Sequence, residues 1–519
     1  MLDVEIRIKN YRCFGDEPSS FRVRDDFSAF IGTNNSGKSS LLRLLYEIRP
    51  LLNLLHSELT IYQNIFTDQQ WSWSPTVLPG ERINRAGVER PVELQFIVHD
   101  GPHGPFVDNG NKLILSTQFD RKGGRPPLEL RTFSGDRLTA LQNPTMENIQ
   151  SFFRPLSGVM KTISDTMYIG PFRNAIHVGS NDNYYDIQTG NAFINAFNQF
   201  KTGPDPTANE AVHEMTEELR RIFGYEKLEI NPSGNTLQLM IDGRSHRLSE
   251  LGAGFAHFVV VMVNVLVRRP KLLLLDEPEL NLHASLQLDF LQTLARYTEQ
   301  GVLFATHSLG LARTAADHIY TVAKPTGGTS QIRPYEEDQD LVTLLGQLSF
   351  AHRPEMGFNK VLLVEGKTEL RTLMQFLRLY GKEHDVLMLP LHGGDMIRGD
   401  VRQELTDLLR IGKEVHYLID SERSAPGTSL DPERQAFVDL CQKINITGHV
   451  LDRRALENYF TDRAVRRAFG DSARSLAPFG KLAKTPGVKW RKTDNWRAAS
   501  EMHKAEIDGT DLGTFLGSL

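Results

Sequence analysis

At 519 residues the chain has room for two or three domains, each with its own core, and is too long for a single core. Its two cysteines, Cys13 and Cys441, stand far apart and outside any metal-ligand spacing, which excludes a disulfide framework and a zinc site and points to an intracellular, cytoplasmic protein. The net charge of −5 argues against a polyphosphate partner for the chain as a whole, and no apolar run is long enough to cross a bilayer.

Residues 4–8 alternate as a half-buried strand does, and 27–31 form an apolar run that reads as a second strand. Directly after it comes Gly-Thr-Asn-Asn-Ser-Gly-Lys-Ser-Ser at 32–40, a full GxxxxGK[ST] match from Gly32 through Asn35, Ser36, Gly37, Lys38 and Ser39 to Ser40. The helix-like Leu41, Leu42, Leu44 and Leu45 follow. A strand before and a helix N-terminus after are what a phosphate loop needs, because the free N–H groups at a helix start point at an anion. The N–H groups of residues 35–38 then face the β- and γ-phosphates of ATP. Lys38 supplies a positive charge, and the Ser39 hydroxyl reaches Mg²⁺.

Between about 55 and 165, turn residues surround strand-like pieces at 92–98 and 113–119, which reads as a β-rich lobe. Residues 187–224 hold a helix over 208–223 with acidic residues early and Arg220-Arg221 late, as the helix dipole favours. This reads as a helical insertion and a candidate dimerisation element. A short turn with Gly252 and Gly254 then opens a helix over 258–267 and presents N–H groups to an anion. Residues 272–275 are an all-apolar strand of the kind buried on both faces in a parallel sheet. Asp276-Glu277-Pro278-Glu279 follows it, so carboxylates stand at the strand's C-terminal end, where open α/β sheets place their ligands. Asp276 is then the Mg²⁺-side carboxylate and Glu277 the general base for the attacking water. His307, after the apolar strand 301–305, sits at the same edge, within reach of the γ-phosphate or the water.

In this order, these residues resemble the ATP-binding-cassette (ABC) ATPases of the chromosome-maintenance and recombination-repair type, over about residues 1–325. Residues 32–39 match their Walker A, 251–255 their signature motif, 272–277 their Walker B, 279–283 their D-loop region and His307 their switch histidine. The resemblance implies that ATP lies between the Walker A of one subunit and the signature motif of another. It therefore implies a homodimer or higher homo-oligomer through ATPase domains. Gly252 stands where the signature serine is usual. Gln95 is the candidate for the Q-loop, and the segment 168–173 resembles one in stand-alone ATPases of this group, which implies phosphate or subunit contacts for Arg173.

The turn-rich stretch before the Arg353-Pro354 region places a domain boundary at 350–358, giving an α/β ATPase domain over 1–350 and a second α/β domain over 355–519. Residues 361–364 open a new strand–helix alternation. Val364-Glu365-Gly366-Lys367-Thr368-Glu369 puts one carboxylate at a strand end and another at the start of a helix over 370–379. The strand 415–419 ends in Asp420-Ser421-Glu422. If these two strands are neighbours in a parallel sheet, Glu365, Glu369, Asp420 and Glu422 converge. Such a site repels itself unless it holds divalent cations, and hard oxygen ligands favour Mg²⁺ or Mn²⁺. One or two such ions activate water and stabilise the leaving oxygen of a phosphodiester. Residues 453–497 carry twelve basic against four acidic residues. With Trp490 and Trp496 among them, they form a candidate phosphate-binding surface.

Glu365-Gly366 with Asp420-x-Glu422 resembles the Toprim fold of topoisomerases, primases and certain nucleases, with Glu422 where a second aspartate is usual. An ABC-type ATPase followed by a C-terminal Toprim domain resembles the overcoming-lysogenization-defect (OLD) nucleases. That resemblance implies an ATP-regulated, metal-dependent endonuclease acting on DNA or RNA in bacterial anti-phage defence, of Gabija-like or retron-associated kind. It would act alone or with a helicase or a retron reverse transcriptase and its DNA–RNA. It also implies a further acid, for which Glu457 is the candidate, and a lysine, for which Lys484 and Lys481 are candidates. The alternatives are a DNA-binding ATPase clamp or scaffold with a non-cleaving Toprim module, a Toprim RNase acting on tRNA, and a topoisomerase using Tyr459 or Tyr417.

Overall fold

The computed structural model of the chain describes residues 2–66, 90–98, 113–119, 128–132, 146–171, 185–188, 190–234, 236–280, 282, 284–325, 328–335, 360–383, 385–391, 405, 414–485, 488 and 490–519. They fall into two compact units, one of residues 1–335 without 313–315, the other of 336–519 with 313–315. The boundary expected at 350–358 lies outside the described residues.

The first unit begins with β1 (Asp3–Lys9), β2 (Ser19–Arg24) and β3 (Phe27–Ile31), followed by β4 (Val92–Val98), β5 (Leu113–Phe119), β6 (Leu128–Thr132) and β7 (Thr166–Ile169). An antiparallel sheet of order β2-β1-β4-β5-β6 takes five of these. Its alternation is plain in β1, where Val4, Ile6 and Ile8 are buried between more open neighbours. The lobe is less purely β than its turn residues indicate, since the helices Glu58–Phe66 and Met146–Ser164 fall within it. In the second of these, Pro155 stands inside a helix whose Phe153, Leu156, Met160 and Ile163 are buried. Burial of that face outweighs the local penalty of the proline.

The insertion consists of two helices, Gly190–Thr202 and Pro206–Ile222. Asp205 caps the second by accepting a bond from Thr207 N, with Pro206 in the first turn. A meander of β8 (Leu228–Ser233), β9 (Thr236–Ile241) and β10 (Arg244–Arg247) follows. Its short, half-polar strands carry too weak a period-2 signal to be read from sequence.

The functional edge comes from β11 (Leu272–Asp276), β12 (Gly301–Thr306), β13 (His318–Ala323) and β14 (Gln331–Pro334). They complete a six-stranded sheet of order β14-β13-β3-β12-β11-β7, parallel except for β14. Leu272, Leu273, Leu274 and Leu275 are all buried, each worth roughly 1.5–3 kcal/mol of apolar burial. The register sets Thr306 beside Ile31 and Asp276 beside Ala305, so the segments after β3, β11 and β12 leave from one edge.

In the second unit, β15 (Lys360–Val364), β16 (Val386–Pro390), β17 (Glu414–Ile419) and β18 (Thr447–Val450) make an all-parallel sheet of order β16-β15-β17-β18. Val361, Leu363, Val415, Tyr417 and Ile419 pack there with Phe437 and Cys441 of the helix Pro432–Lys443. The strands β15 and β17 are direct neighbours, with Val364 opposite Leu418.

Candidate active sites

The phosphate loop joins β3 to the helix Lys38–Glu47. Two of its positions require glycine. At Gly37 φ is +112°, and a Cβ would come 2.5 Å from Cys13 Sγ; at Gly32 a Cβ would stand 2.2 Å from the Val322 carbonyl oxygen. Asn35 also takes the left-handed region, with φ +61°, which asparagine tolerates better than most residues. Lys38 donates to the Gly32 and Thr33 carbonyls at 2.9 and 3.1 Å, so its ammonium spans the mouth of the loop. Burial lowers its pKa, partly offset by Asp276, Glu277 and Glu279. The Ser36 hydroxyl is buried without a hydrogen-bond partner among the described residues. A loop with an ammonium at its mouth and a spare donor in its wall fits the phosphates of ATP.

Asp276 ends β11 with 3 % of its surface exposed. Its Oδ1 accepts from Ser39 Oγ at 2.9 Å and its Oδ2 from the Tyr168 hydroxyl at 3.1 Å. Burial raises its pKa, against the pull of these two donors. A buried carboxylate oxygen facing a loop hydroxyl is a donor pair that suits Mg²⁺. Glu277 takes φ +56°, an uncommon conformation for a glutamate that turns the chain sharply at the strand end. Its Oε1 lies 3.6 Å from His307 Nε2, and His307 Nε2 lies 3.2 Å from Lys38 Nζ. Glu279 fixes that histidine: its Oε1 accepts from His307 N and from Thr306 Oγ1, both at 2.8 Å. Sequence reasoning left Glu279 in the D-loop region without a role, because its partners come from another strand. Gly252 and Gly254 lie at the N-terminal end of the helix Ala253–Arg268, with open space where a Cβ on Gly252 would stand. Gln95 sits mid-strand in β4, opposite Arg7 and Ser116, and Arg173 lies outside the described residues.

The second cluster forms where β15 and β17 end side by side. Glu365 Oε1 accepts from Asp420 N at 3.0 Å, and both its oxygens accept from Arg434 Nη2 at 3.1 and 3.2 Å. Arg434 also donates from Nε to the Asp420 carbonyl at 3.0 Å. Gly366 leaves room for Glu369, whose Oε2 would lie 3.0 Å from a Cβ at that position. Glu369 Oε1 is 2.5 Å and Asp420 Oδ2 3.5 Å from the Lys492 ammonium. Asp420 Oδ1 accepts from Leu456 N at 3.2 Å. The adjacent Glu457 is buried and accepts from Asn495 Nδ2 at 3.1 Å. Burial raises the pKa of Asp420 and of Glu365, while for Glu369 the adjacent ammonium, together with bonds from Thr368 and a backbone N–H, outweighs burial and holds the carboxyl below its usual range. Glu457 is among the charges acting on both Asp420 and Lys492.

Three expectations need correction. Glu422 does not join the acids: with φ +52° its carboxylate pairs with Arg454, and its N–H bonds the Arg454 carbonyl at 2.9 Å. The lysine at the acids is Lys492, set by the turn Lys492–Asp494 ahead of the helix Asn495–Ser500. Lys481 is exposed and the Lys484 side chain lies outside the described residues. No local pattern distinguishes Lys492 from its basic neighbours, because its partners are more than 70 positions away in the chain. Finally, much of the basic stretch 453–497 is already paired. Arg463 bonds Glu506, Arg467 bonds Glu501, Arg491 bonds Asp494, and Arg454 holds Glu422. Trp490 and Trp496 are buried, so neither offers a free face for stacking a base.

Among the described residues, no group of three or more His, Cys, Asp and Glu side chains is arranged to hold a metal ion as it stands. Lys492 and Arg434 occupy that space instead. The donor chemistry still fits a hard cation, since Glu369 Oε1 and Asp420 Oδ2 are buried carboxylate oxygens facing one positive charge, the Lys492 ammonium.

The AAA ATPase domain family matches residues 2–56. The zinc uptake system ATP-binding protein ZurA of Listeria innocua is 23% identical over 256 residues, 46% of this chain and 94% of the relative. Its counterpart in Listeria monocytogenes is 23% identical over 248 residues, 45% and 91% of the two. Two solved structures are also similar. The SMC head domain from Thermotoga maritima is 16% identical and covers 65% of this chain and 100% of that one, with a TM-score of 0.33. The Smc head domain with an extended coiled coil, bound to the C-terminal domain of ScpA derived from Pyrococcus furiosus, is 11% identical and covers 67% and 99%, with a TM-score of 0.35. TM-scores this low decide nothing about the fold; the geometry around Lys38, Ser39 and Asp276 does. The first unit is an α/β P-loop domain whose N-terminal part matches the AAA ATPase domain family. No described helix is long and apolar enough to cross a membrane.

Proposed function

We propose that the chain is an ATP-regulated, divalent-metal-dependent endonuclease of the OLD type, in which the second unit is a Toprim domain and nucleic acid is the substrate. The observation that carries this reading is the meeting of Glu365, Glu369 and Asp420 at the shared end of β15 and β17, with two of them on one ammonium, Lys492. A bound Mg²⁺ or Mn²⁺ would supply an activated water and charge stabilisation for the leaving oxygen. Glu369 and Asp420 would hold it, Arg434 keeps Glu365 in place, and Lys492 faces the charge that develops on the phosphate. In the ATPase domain, Glu277 and His307 act at the γ-phosphate of ATP held by the phosphate loop. The signature turn at Gly252 and Gly254 would complete the site of a second copy. A role in bacterial anti-phage defence, in the cytoplasm, with or without a helicase or reverse-transcriptase partner, follows from the resemblance.

The test is a metal-titrated cleavage assay on DNA and on RNA, including tRNA. Glu365→Ala is expected to abolish cleavage with ATP binding retained, and metal-dependent cleavage surviving in that variant would remove the nuclease reading. A clamp or scaffold without cleavage would show nucleic-acid binding and ATP hydrolysis but no cut product in any metal. The topoisomerase reading is disfavoured by Tyr459, whose buried hydroxyl lies 2.8 Å from both Asp511 oxygens. The Listeria relatives are named as uptake-system subunits, a role that gives the acid cluster of the second unit nothing to do.

A further inference from the structure

The hydroxyl of Tyr168 touches the ATPase site from a strand outside the phosphate-loop, signature and Walker B segments. Tyr168 lies in β7, which pairs in parallel with β11 and sets Tyr168 opposite Leu274, two residues before Asp276. Its side chain is fully buried. The two oxygens of Asp276 are thus held from opposite sides, Oδ1 by the Ser39 hydroxyl of the phosphate-loop helix and Oδ2 by Tyr168. Ser39 is the hydroxyl placed for Mg²⁺, so Oδ1 is the metal-side oxygen and Tyr168 fixes the far one.

Everything around Tyr168 restricts it to that task. Its ring packs on Tyr185 at 4.8 Å and on Tyr46 at 5.7 Å between centroids, which leaves the phenol little freedom to turn. Its backbone N–H donates to Asp186 Oδ2 at 2.7 Å, and Asp186 is in turn gripped by Arg49 and Arg268. Arg43 stands four residues after Ser39, on the same face of the helix. Its guanidinium carbon lies 5.5 Å from the centre of the Tyr185 ring.

We propose that Tyr168 is a positioning residue for ATP hydrolysis: by holding the far oxygen of Asp276 it keeps the near oxygen aimed at the Mg²⁺ side of the site. The inference rests on the ATPase reading of the first unit and is independent of the nuclease reading. Without the hydroxyl, a buried carboxylate oxygen loses its donor and the carboxylate is free to rotate.

The test uses the full chain and Tyr168→Phe, which keeps the ring and its packing. Nucleotide-dependent Mn²⁺ binding is measured by electron paramagnetic resonance as the difference with and without a non-hydrolysable ATP analogue. The Mg²⁺ dependence of ATPase turnover is measured alongside. Weakening of metal affinity by about 10–100-fold is expected, the range for removing a group that orients a metal ligand, together with an equal shift of the Mg²⁺ midpoint. ATP binding in EDTA is expected to stay unchanged. Mn²⁺ affinity within twofold of wild type in Tyr168→Phe would overturn the proposal. So would a parallel loss of metal-free ATP binding, which would mark Tyr168 as packing only. No nucleotide-dependent Mn²⁺ binding by the wild-type chain would overturn the ATPase reading and this proposal with it, a result that no behaviour of Tyr168→Phe can imitate.

Discussion

Replacing Lys492 by methionine removes the cation that, among the described residues, Glu369 and Asp420 share, while keeping most of the side-chain volume. The two carboxylates are nearly sealed, with side chains 6% and 2% exposed, whereas that of Lys492 is 41% exposed. Breaking a buried ion pair from one side costs about 3–5 kcal/mol. Water reaching the lysine screens part of this, so about 1–3 kcal/mol is the reasonable expectation. For a unit of this size, that lowers the melting temperature by roughly 2–12 °C. The loss depends on pH in a definite direction. Lys492 itself stays charged from pH 5 to 8, since its pKa is raised further by Asp420 and Glu369. Glu369, held low by Lys492 with help from Thr368 and a backbone N–H, would lose its main counter-charge and move toward Asp420 and Glu365, whose carboxyls burial raises. Groups whose folded pKa is raised cost stability as pH rises through the carboxylate range and above it. The variant should therefore be least stable relative to wild type near pH 8 and converge with it only as the pH falls below the usual carboxylate range, where Glu369 is protonated in both. Added Mn²⁺ should recover more stability in the variant than in wild type, because it supplies the missing positive charge. Calorimetry in EDTA and in Mn²⁺ across that pH range reads all three effects. Equal stability of the two proteins at pH 8, with the same response to Mn²⁺, would refute the placement of Lys492 as the counter-ion of the cluster.

Two further substitutions test the geometry. Gly37→Ala must accept a φ of +112° and a methyl 2.5 Å from Cys13 Sγ; strain of about 1–3 kcal/mol is expected, and ATP affinity measured by titration calorimetry should fall at least about tenfold, whereas unchanged affinity would mean that the loop relaxes freely. Glu422→Ala should reduce metal-dependent cleavage far less than Asp420→Ala, because Glu422 is engaged by Arg454 while Asp420 faces Lys492. Equal losses in the two variants would return Glu422 to the ligand set.

The elements that could be read from sequence share a property: their signal is local. The strand β4 over Val92–Val98 and the strand β3 over Phe27–Ile31 announce themselves by apolar content within a few residues. The helix Pro206–Ile222 does so through its charge order. The helix Met146–Ser164 was hidden by Pro155, whose local penalty is overcome only by packing against distant residues. Lys492 was one of several lysines and arginines in a basic run, and Glu422 looked like a ligand because it sits two residues from Asp420.

The sequence by itself determined which chemistry the chain carries: a phosphate loop at residues 32–40, a carboxylate pair at Asp276 and Glu277, and acidic residues at the ends of two later strands. Spacing along the chain fixes such features, because turns and strand ends are built from neighbouring residues. The tertiary structure decided who serves each group: Tyr168 and Ser39 on Asp276, Glu279 on His307, Arg434 on Glu365, and Lys492 between Glu369 and Asp420. Those partners arrive from remote parts of the chain through strand order and helix packing, and a charge or hydroxyl carries no mark in its own neighbourhood of the group it will meet across a sheet.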